Sequence, residues 1–409
     1  MKPLQIVYLF LLCALAACSK DAPIEVTPFE PTLNRKSHTD WYQAARPNMQ
    51  ELGWTMWNWS PQLAPAARMA SASNKPLLLW LEHGHPLSIT SEAGRQRRAL
   101  WMDSNLNASL ARFQFAADDL EVLFLSQNPD DPEAALAVTL LQKAMENGTA
   151  IHESGGVLMA SAGGKLLGSY SGQDSSALQE ELSIALANWD ALPREQRRLK
   201  DLSAMVSAGR SADLFPDDGM ALEVHRRSLD ASMDIHAPRS LAYTHDYLWF
   251  SASELAPLVP TRMGEVLVVP TAQAQRLAQF LLVDDAHGEG RSFSIDDLQQ
   301  TDLSFTAISK VGNTIRFTAS GVFMAEDANQ RGMRCVIEGM GSVNLAQHMI
   351  VSLNLAVQAQ SWGPEIERLE DGSWPLLMMG VHRADSFEGS HRITPSQFGQ
   401  YPAGWPVTE

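Results

Sequence analysis

Cysteine is nearly absent from this chain. Three occur among 409 residues, at Cys13, Cys18 and Cys335. No Cys-x-x-Cys pair exists, which excludes the low-pKa dithiol of a disulfide oxidoreductase. Cationic charge is scarce as well: 31 Lys and Arg stand against 47 Asp and Glu, a net charge of −16. A general nucleic-acid binder needs cationic surface to replace phosphate counterions, so none is expected here. Electrostatic docking on anionic lipid gets no support either. No Gly-x-Ser-x-Gly elbow is present, so the commonest hydrolase signature is missing. The one long apolar run covers residues 4–17, short of the ~20 residues a spanning helix needs. What remains is 45% hydrophobic and 19% charged, a composition of folded domains, at a length that suits two or three of them.

The apolar run follows Lys2 and ends in Leu15-Ala16-Ala17-Cys18. A short positive segment, an apolar stretch and small residues make a secretory signal. The last four residues resemble the bacterial lipobox. The resemblance implies removal of residues 1–17 and lipidation of Cys18, which anchors the protein in the cell envelope on the periplasmic side. Ser19 follows, not Asp, which by analogy favours the outer membrane over the inner one. With Cys13 removed and Cys18 blocked, Cys335 has no disulfide partner. Its setting, "RGMRCVIEG", reads as that of a small buried hydrophobe.

Residues 18–40 hold three prolines and little periodicity, and read as a tether. A first domain is expected over 41–195, a linker over 196–219 and a second domain over 220–409. In the first, Ser60-Pro61 suits a helix start, with Leu63, Ala66, Ala67 and Ala70 on one face. Leu77–Leu81 is a continuous apolar strand of the doubly buried kind. Helical pieces follow Ser91, with Arg95, Arg97 and Arg98 as a solvated basic face. "LEVLFLS" at 120–126 predicts a strand, and "DPEAALAVTLLQKAMENG" a helix stopped by Gly148. A hairpin at 155–172 turns at Ala162-Gly163-Gly164, and a helix carries Leu178, Leu182, Ala185 and Leu186 inward.

In the second domain "MALEVHRRSLD" and "EVLVVP" read as strands. "TAQAQRLAQFLLVDD" reads as a helix with Leu277, Phe280 and Leu281 inward. Gly312-Asn313 centres a hairpin. "HMIVSLNLAVQAQSW" alternates, which predicts Met349, Val351, Leu353, Leu355 and Val357 on one face. The expected class is α+β, dominated by antiparallel sheet.

Trp57-Asn58-Trp59, the alanine-rich helix, Asn74-Lys75-Pro76-Leu77 and the turn in "SAGGKLLGSYSG" together resemble the secreted thioredoxin-like proteins. The resemblance implies an α/β thioredoxin-like fold for the first domain. Where that family carries its cysteines, this chain has Gly84-His85-Pro86-Leu87-Ser88. Where the family has a cis-proline, it has Gly155-Gly156-Val157. A scaffold without redox chemistry follows. "DYLWFSASEL" and "RLAQFLLVDD" resemble C-terminal regions of other secreted bacterial proteins, which bears on architecture only.

Four places offer chemistry. His83 and His85 flank a strand end and can face one side, so with His152 they form a candidate Zn²⁺ or Cu²⁺ site; the plainer reading is a strand-end and a turn histidine. Trp54, Trp57 and Trp59 suit stacking on sugar, but packing is the better account. Asp284-Asp285, His287, Glu289 and Asp296-Asp297 form an acidic loop that fits no EF-hand, with Ser294 as a helix cap. His245-Asp246 could orient an imidazole, although adjacent side chains seldom do.

The expectation is therefore a non-enzymatic, lipid-anchored envelope protein that binds an envelope protein or peptide, by strand addition or apolar contact in the thioredoxin-like groove. No cofactor is expected. The alternatives are metal binding or delivery at His83 and His85, and an enzyme whose site lies in the C-terminal domain.

Overall fold

A computed structural model describes residues 29–47, 53–60, 63–82, 92–119, 132–151, 155–199, 219–229, 235, 243–287, 290–369 and 371–384.

The apolar run Leu77–Glu82 (β2) is buried at every position, because helices cover both of its faces. It is central in a five-stranded sheet. Trp59–Ser60 (β1) runs parallel to Gln114–Asp119 (β3), and β3 runs parallel to β2. Gly156–Ala160 (β4) pairs antiparallel with β2, and Leu166–Tyr170 (β5) with β4. On one face lie Leu63–Ser73 (α2) and Pro132–Glu146 (α4), whose Ala66, Ala67, Leu140 and Leu141 meet Leu77, Leu79 and Leu81. Alanine lets α2 lie close to the strands. The other face meets Glu92–Leu100 (α3) and Ser175–Ala191 (α5), over a core holding Trp80, Trp101, Leu178 and Leu182.

One strand is added here and one expectation changes. The third strand is 114–119, whereas 120–126 lies outside the described residues. "QFAADD" is poor in β-branched residues, so propensity gives no strand signal. Arg97 and Arg98 are buried rather than solvated.

The C-terminal region is one antiparallel sheet of eight strands. Met220–Leu229 (β6), Tyr243–Phe250 (β7), Val266–Val268 (β8), Leu298–Val311 (β9), Thr314–Glu326 (β10), Gly332–Asn344 (β11), Met349–Trp362 (β12) and Leu376–Arg383 (β13) lie in the order β7-β6-β13-β12-β11-β10-β9-β8. Gly312 adopts φ +56° in the β9–β10 turn, a conformation glycine enters freely. Thr271–Leu281 (α6) buries Leu277, Phe280 and Leu281. In β12 the predicted face is broken. The register slips at Val351, so Ile350 is buried with Leu353, Leu355 and Val357, while Met349 and Val351 are not. A bulge adds one residue and reverses the alternation beyond it.

One helix spans the expected boundary at residues 40 and 41. His38–Ala45 (α1) is a single helix lying on β12 and β13. The Thr32 and Leu33 amides donate to Gln358 Oε1, each at 2.9 Å. The described end of the expected tether, and the start of the expected first domain, therefore belong with the C-terminal sheet. Gln196 and Leu199, expected in the linker, instead bond to Ser161 and Ser71 of the N-terminal region. The two regions share one apolar core, which runs from Trp80 and Trp101 to Tyr247 and Trp249. Across it Arg98 Nη2 donates to the Tyr243 carbonyl at 2.6 Å. Among the described residues, no helix is long and apolar enough to cross a membrane.

Candidate metal centre

Alternation along β6 puts Glu223, His225 and Arg227 on one face and Val224, Arg226 and Ser228 on the other. Register then brings partners to the first set. His225 stands opposite His245 of β7, and Glu223 stands opposite His382 of β13. Directly opposed side chains on one face are within contact range. A carboxylate and three imidazoles are so gathered from three adjacent strands.

Their donor atoms converge. Glu223 Oε2 lies 3.4 Å from His225 Nε2, 3.6 Å from His245 Nε2 and 3.4 Å from His382 Nε2. The donors of Glu223, His225 and His245 all fall within 4.8 Å of one another. Metal–nitrogen bonds of about 2.0–2.1 Å at tetrahedral angles put neighbouring donors about 3.4 Å apart. The carboxylate-to-imidazole distances have that spacing without any ion.

The surroundings suit a ligand set. His225 and His245 are each 1% exposed. Burial lowers the His225 pKa to about 3 against the opposing pull of Glu223, and the neighbouring imidazoles His245 and His382 lower it further. The ring is neutral at physiological pH and keeps a lone pair. Its Nδ1 lies 2.8 Å from the Tyr243 hydroxyl. When Nδ1 donates there, Nε2 faces Glu223 as an acceptor, the outer-shell arrangement that orients ligating imidazoles. Trp54 stands edge-on to His245, Tyr42 edge-on to His382, and the Tyr247 ring lies 4.7 Å from His245. Glu223 and His382 keep side-chain exposures of 11% and 15%, which leaves their side as the entry path.

His245 is the discordant member. Neither ring nitrogen has a hydrogen-bond partner among the described residues. A buried polar group left unpaired costs about 1–3 kcal/mol. A cation held between Nε2 and the Glu223 carboxylate would offset that cost.

The sites expected from sequence fare differently. His83, His85, His152, Glu289 and Cys18 lie outside the described residues. Glu82, beside the histidine loop, is committed elsewhere. It accepts from Arg97 Nε at 2.6 Å, Arg97 Nη2 at 2.7 Å and Trp80 Nε1 at 2.7 Å. Gly155 lies against this pair at φ +73°, where an added Cβ would come within 2.4 Å of Glu82 Oε2. Trp54 and Trp59 are buried and Trp57 is partly so, its Nε1 donating to Trp101 O. The acidic loop divides: Asp285 pairs with Arg226 and Thr244, Asp284 with His287, and Ser294 caps a short helical turn while its amide and hydroxyl donate to Asp297. Burial raises the Asp285 pKa against the pull of Arg226. His245 was notable in the sequence only beside Asp246, but successive strand residues face opposite sides. The overlooked cue was Glu-x-His at 223–225 in a predicted strand. His245 and His382 join it through register alone.

No family model, curated protein or solved structure matches this chain.

Proposed function

We propose that this is a lipid-anchored envelope protein that binds one divalent transition-metal ion through Glu223, His225 and His245. One observation carries the reading: His245 is buried with two unpartnered nitrogens, one of them 3.6 Å from a carboxylate shared with two more imidazoles. Two imidazoles and a carboxylate suit Zn²⁺, Fe²⁺ or Cu²⁺ better than Ca²⁺ or Mg²⁺, which prefer oxygen. Three protein ligands leave a further position for His382, water or a small ligand. Ligands this buried favour an ion that is held over one that is passed on quickly.

The N-terminal region is proposed as a thioredoxin-like scaffold without redox chemistry. Its strand order β1-β3-β2-β4-β5, with β1, β3 and β2 parallel, supports that reading. It contributes Trp54 to the wall beside His245. Cys18 would hold the whole at the membrane. Among the described residues, peptide binding in the thioredoxin-like groove has no comparable constellation behind it, so the metal reading is the stronger one.

The test is zinc titration of chelator-stripped protein. One equivalent is expected to bind. The double variant His225→Ala/His245→Ala should lose it, and His83→Ala/His85→Ala should retain it. Binding retained in the first variant, or absent from the parent, overturns the proposal.

A further inference from the structure

The opposite face of the C-terminal sheet carries a second constellation. Ser228 lies one residue before the end of β6, and Asp284 and His287 lie in the turn after α6. Ser228 Oγ is 2.6 Å from His287 Nε2, and His287 Nδ1 is 3.2 Å from Asp284 Oδ2. The order is nucleophile, base, carboxylate. Asp284 Oδ1 accepts the backbone amides of Ala286 and His287, at 3.1 and 2.8 Å. Its Oδ2 also accepts from Ser361 Oγ. The carboxylate is thus fixed from three sides.

These bonds set the tautomer. Burial alone would raise the Asp284 pKa, but hydrogen bonds from His287 and Ser361 overrule it and the pKa falls. An ionised carboxylate can only accept, so His287 Nδ1 carries the proton. In the neutral ring Nε2 is then an acceptor, and the Ser228 hydroxyl donates to it. That is the ground state of a base-activated serine. A carboxylate that merely closed its own turn would need the two amides, not a serine on the far nitrogen.

The group is reachable. Ser228 is half-buried, and the His287 side chain is 18% exposed. Asp284 and Ser361 form part of the wall of a cavity of about 800 Å³ that also meets Phe293, Asp327, Arg331 and Glu365, while Ser228 and His287 lie beside that wall rather than in it.

We propose that Ser228, His287 and Asp284 form a nucleophile–base–orienter relay that hydrolyses a carboxylic ester. Ser228 Oγ bonds to the carbonyl carbon as its proton passes to His287 Nε2. The carbon–oxygen bond to the alcohol then breaks, and that oxygen takes the proton from His287. Water adds to the acyl-enzyme by the same route, which releases the acid and restores Ser228. The relay and the proposed metal centre lie on opposite faces of β6 and share no residue.

The experiment uses the full chain in detergent, treated with chelator so that the metal reading cannot affect the result. A fluorophosphonate probe is added, the adduct is located by peptide mass, and p-nitrophenyl ester turnover is followed. One adduct on Ser228 is expected, with release of p-nitrophenol. Ser228→Ala should abolish both. His287→Gln should slow labelling by roughly 100-fold or more, the range in which a general base acts. If Ser228→Ala fails to fold, His287→Gln with a parent-like melting curve carries the test. No adduct on Ser228 of the folded parent, or an unchanged rate in folded His287→Gln, overturns the proposal.

Discussion

Among the described residues, His225 is an imidazole whose protonation is strongly disfavoured by burial. Its folded pKa is about 3, against 6.5 for the ordinary imidazole, because burial penalises the cation. The unfolded chain therefore binds a proton that the folded chain refuses between those two values. Stability is unaffected by this group above pH 6.5 and falls as the pH drops from 6.5 towards 3. One proton contributes a slope of about 1.4 kcal/mol per pH unit inside that window. Denaturant unfolding of chelated protein across the window should show it, and His225→Gln should flatten the slope by up to about that amount. An unchanged slope in the variant would mean that the proton is taken up elsewhere. Cys335 makes the contrasting case: burial pushes its thiol to about 12, so it behaves as the small hydrophobe its sequence suggests. Arg97 shows where residue-level reading stops. Three arginines within four positions look like a wet helix face, and nothing local announces Glu82, 15 residues earlier, as a buried partner.

Elements were more legible than the contacts between them. The hairpins, the helices α4, α5 and α6, and the antiparallel character of the C-terminal half all follow from period and turn chemistry. β3 escaped because alanine marks a strand weakly, and the bulge at Val351 escaped because one inserted residue leaves no compositional trace. The candidate metal centre escaped for a related reason. Glu-x-His is visible within β6, but its completion by His245 and His382 depends on register with β7 and β13. Segment 29–45 escaped as well, since prolines suggested a tether. Its docking rests on Gly380, whose missing Cβ would lie 3.2 Å from Ala45 Cβ and 3.5 Å from Tyr42 Cδ2. Gly380→Val should lift α1 from the sheet and lower stability by roughly 1–3 kcal/mol, the usual effect of overpacking. Limited proteolysis would show faster cleavage within 29–47 in the variant. Equal cleavage rates would mean that α1 tolerates the extra volume.

At the scale of the molecule, the shared core and the Arg98–Tyr243 contact bind the two halves to each other, beside the proposed metal ligands of the C-terminal sheet. Trp54 from the N-terminal half walls His245, and Arg98 holds the Tyr243 carbonyl at 2.6 Å with its guanidinium over the same ring at 5.2 Å. Tyr243 in turn holds His225 at 2.8 Å. A change at Arg98 therefore reaches the metal ligands through one tyrosine. A ligand that binds only the folded chain adds RT ln(1 + [L]/Kd), about 2.7 kcal/mol at one hundred times Kd. Because both halves contribute to one core, zinc should raise a single thermal transition rather than split it. Calorimetry of chelated and zinc-loaded protein measures this directly. In Glu223→Gln/His245→Ala the zinc-dependent shift should vanish. In Arg98→Ala it should shrink, because Tyr243 loses its anchor and His225 its fixed orientation, while the chelated protein separates towards two transitions. If zinc instead shifts one of two transitions in the parent, the halves melt independently, and the centre stabilises the C-terminal sheet alone.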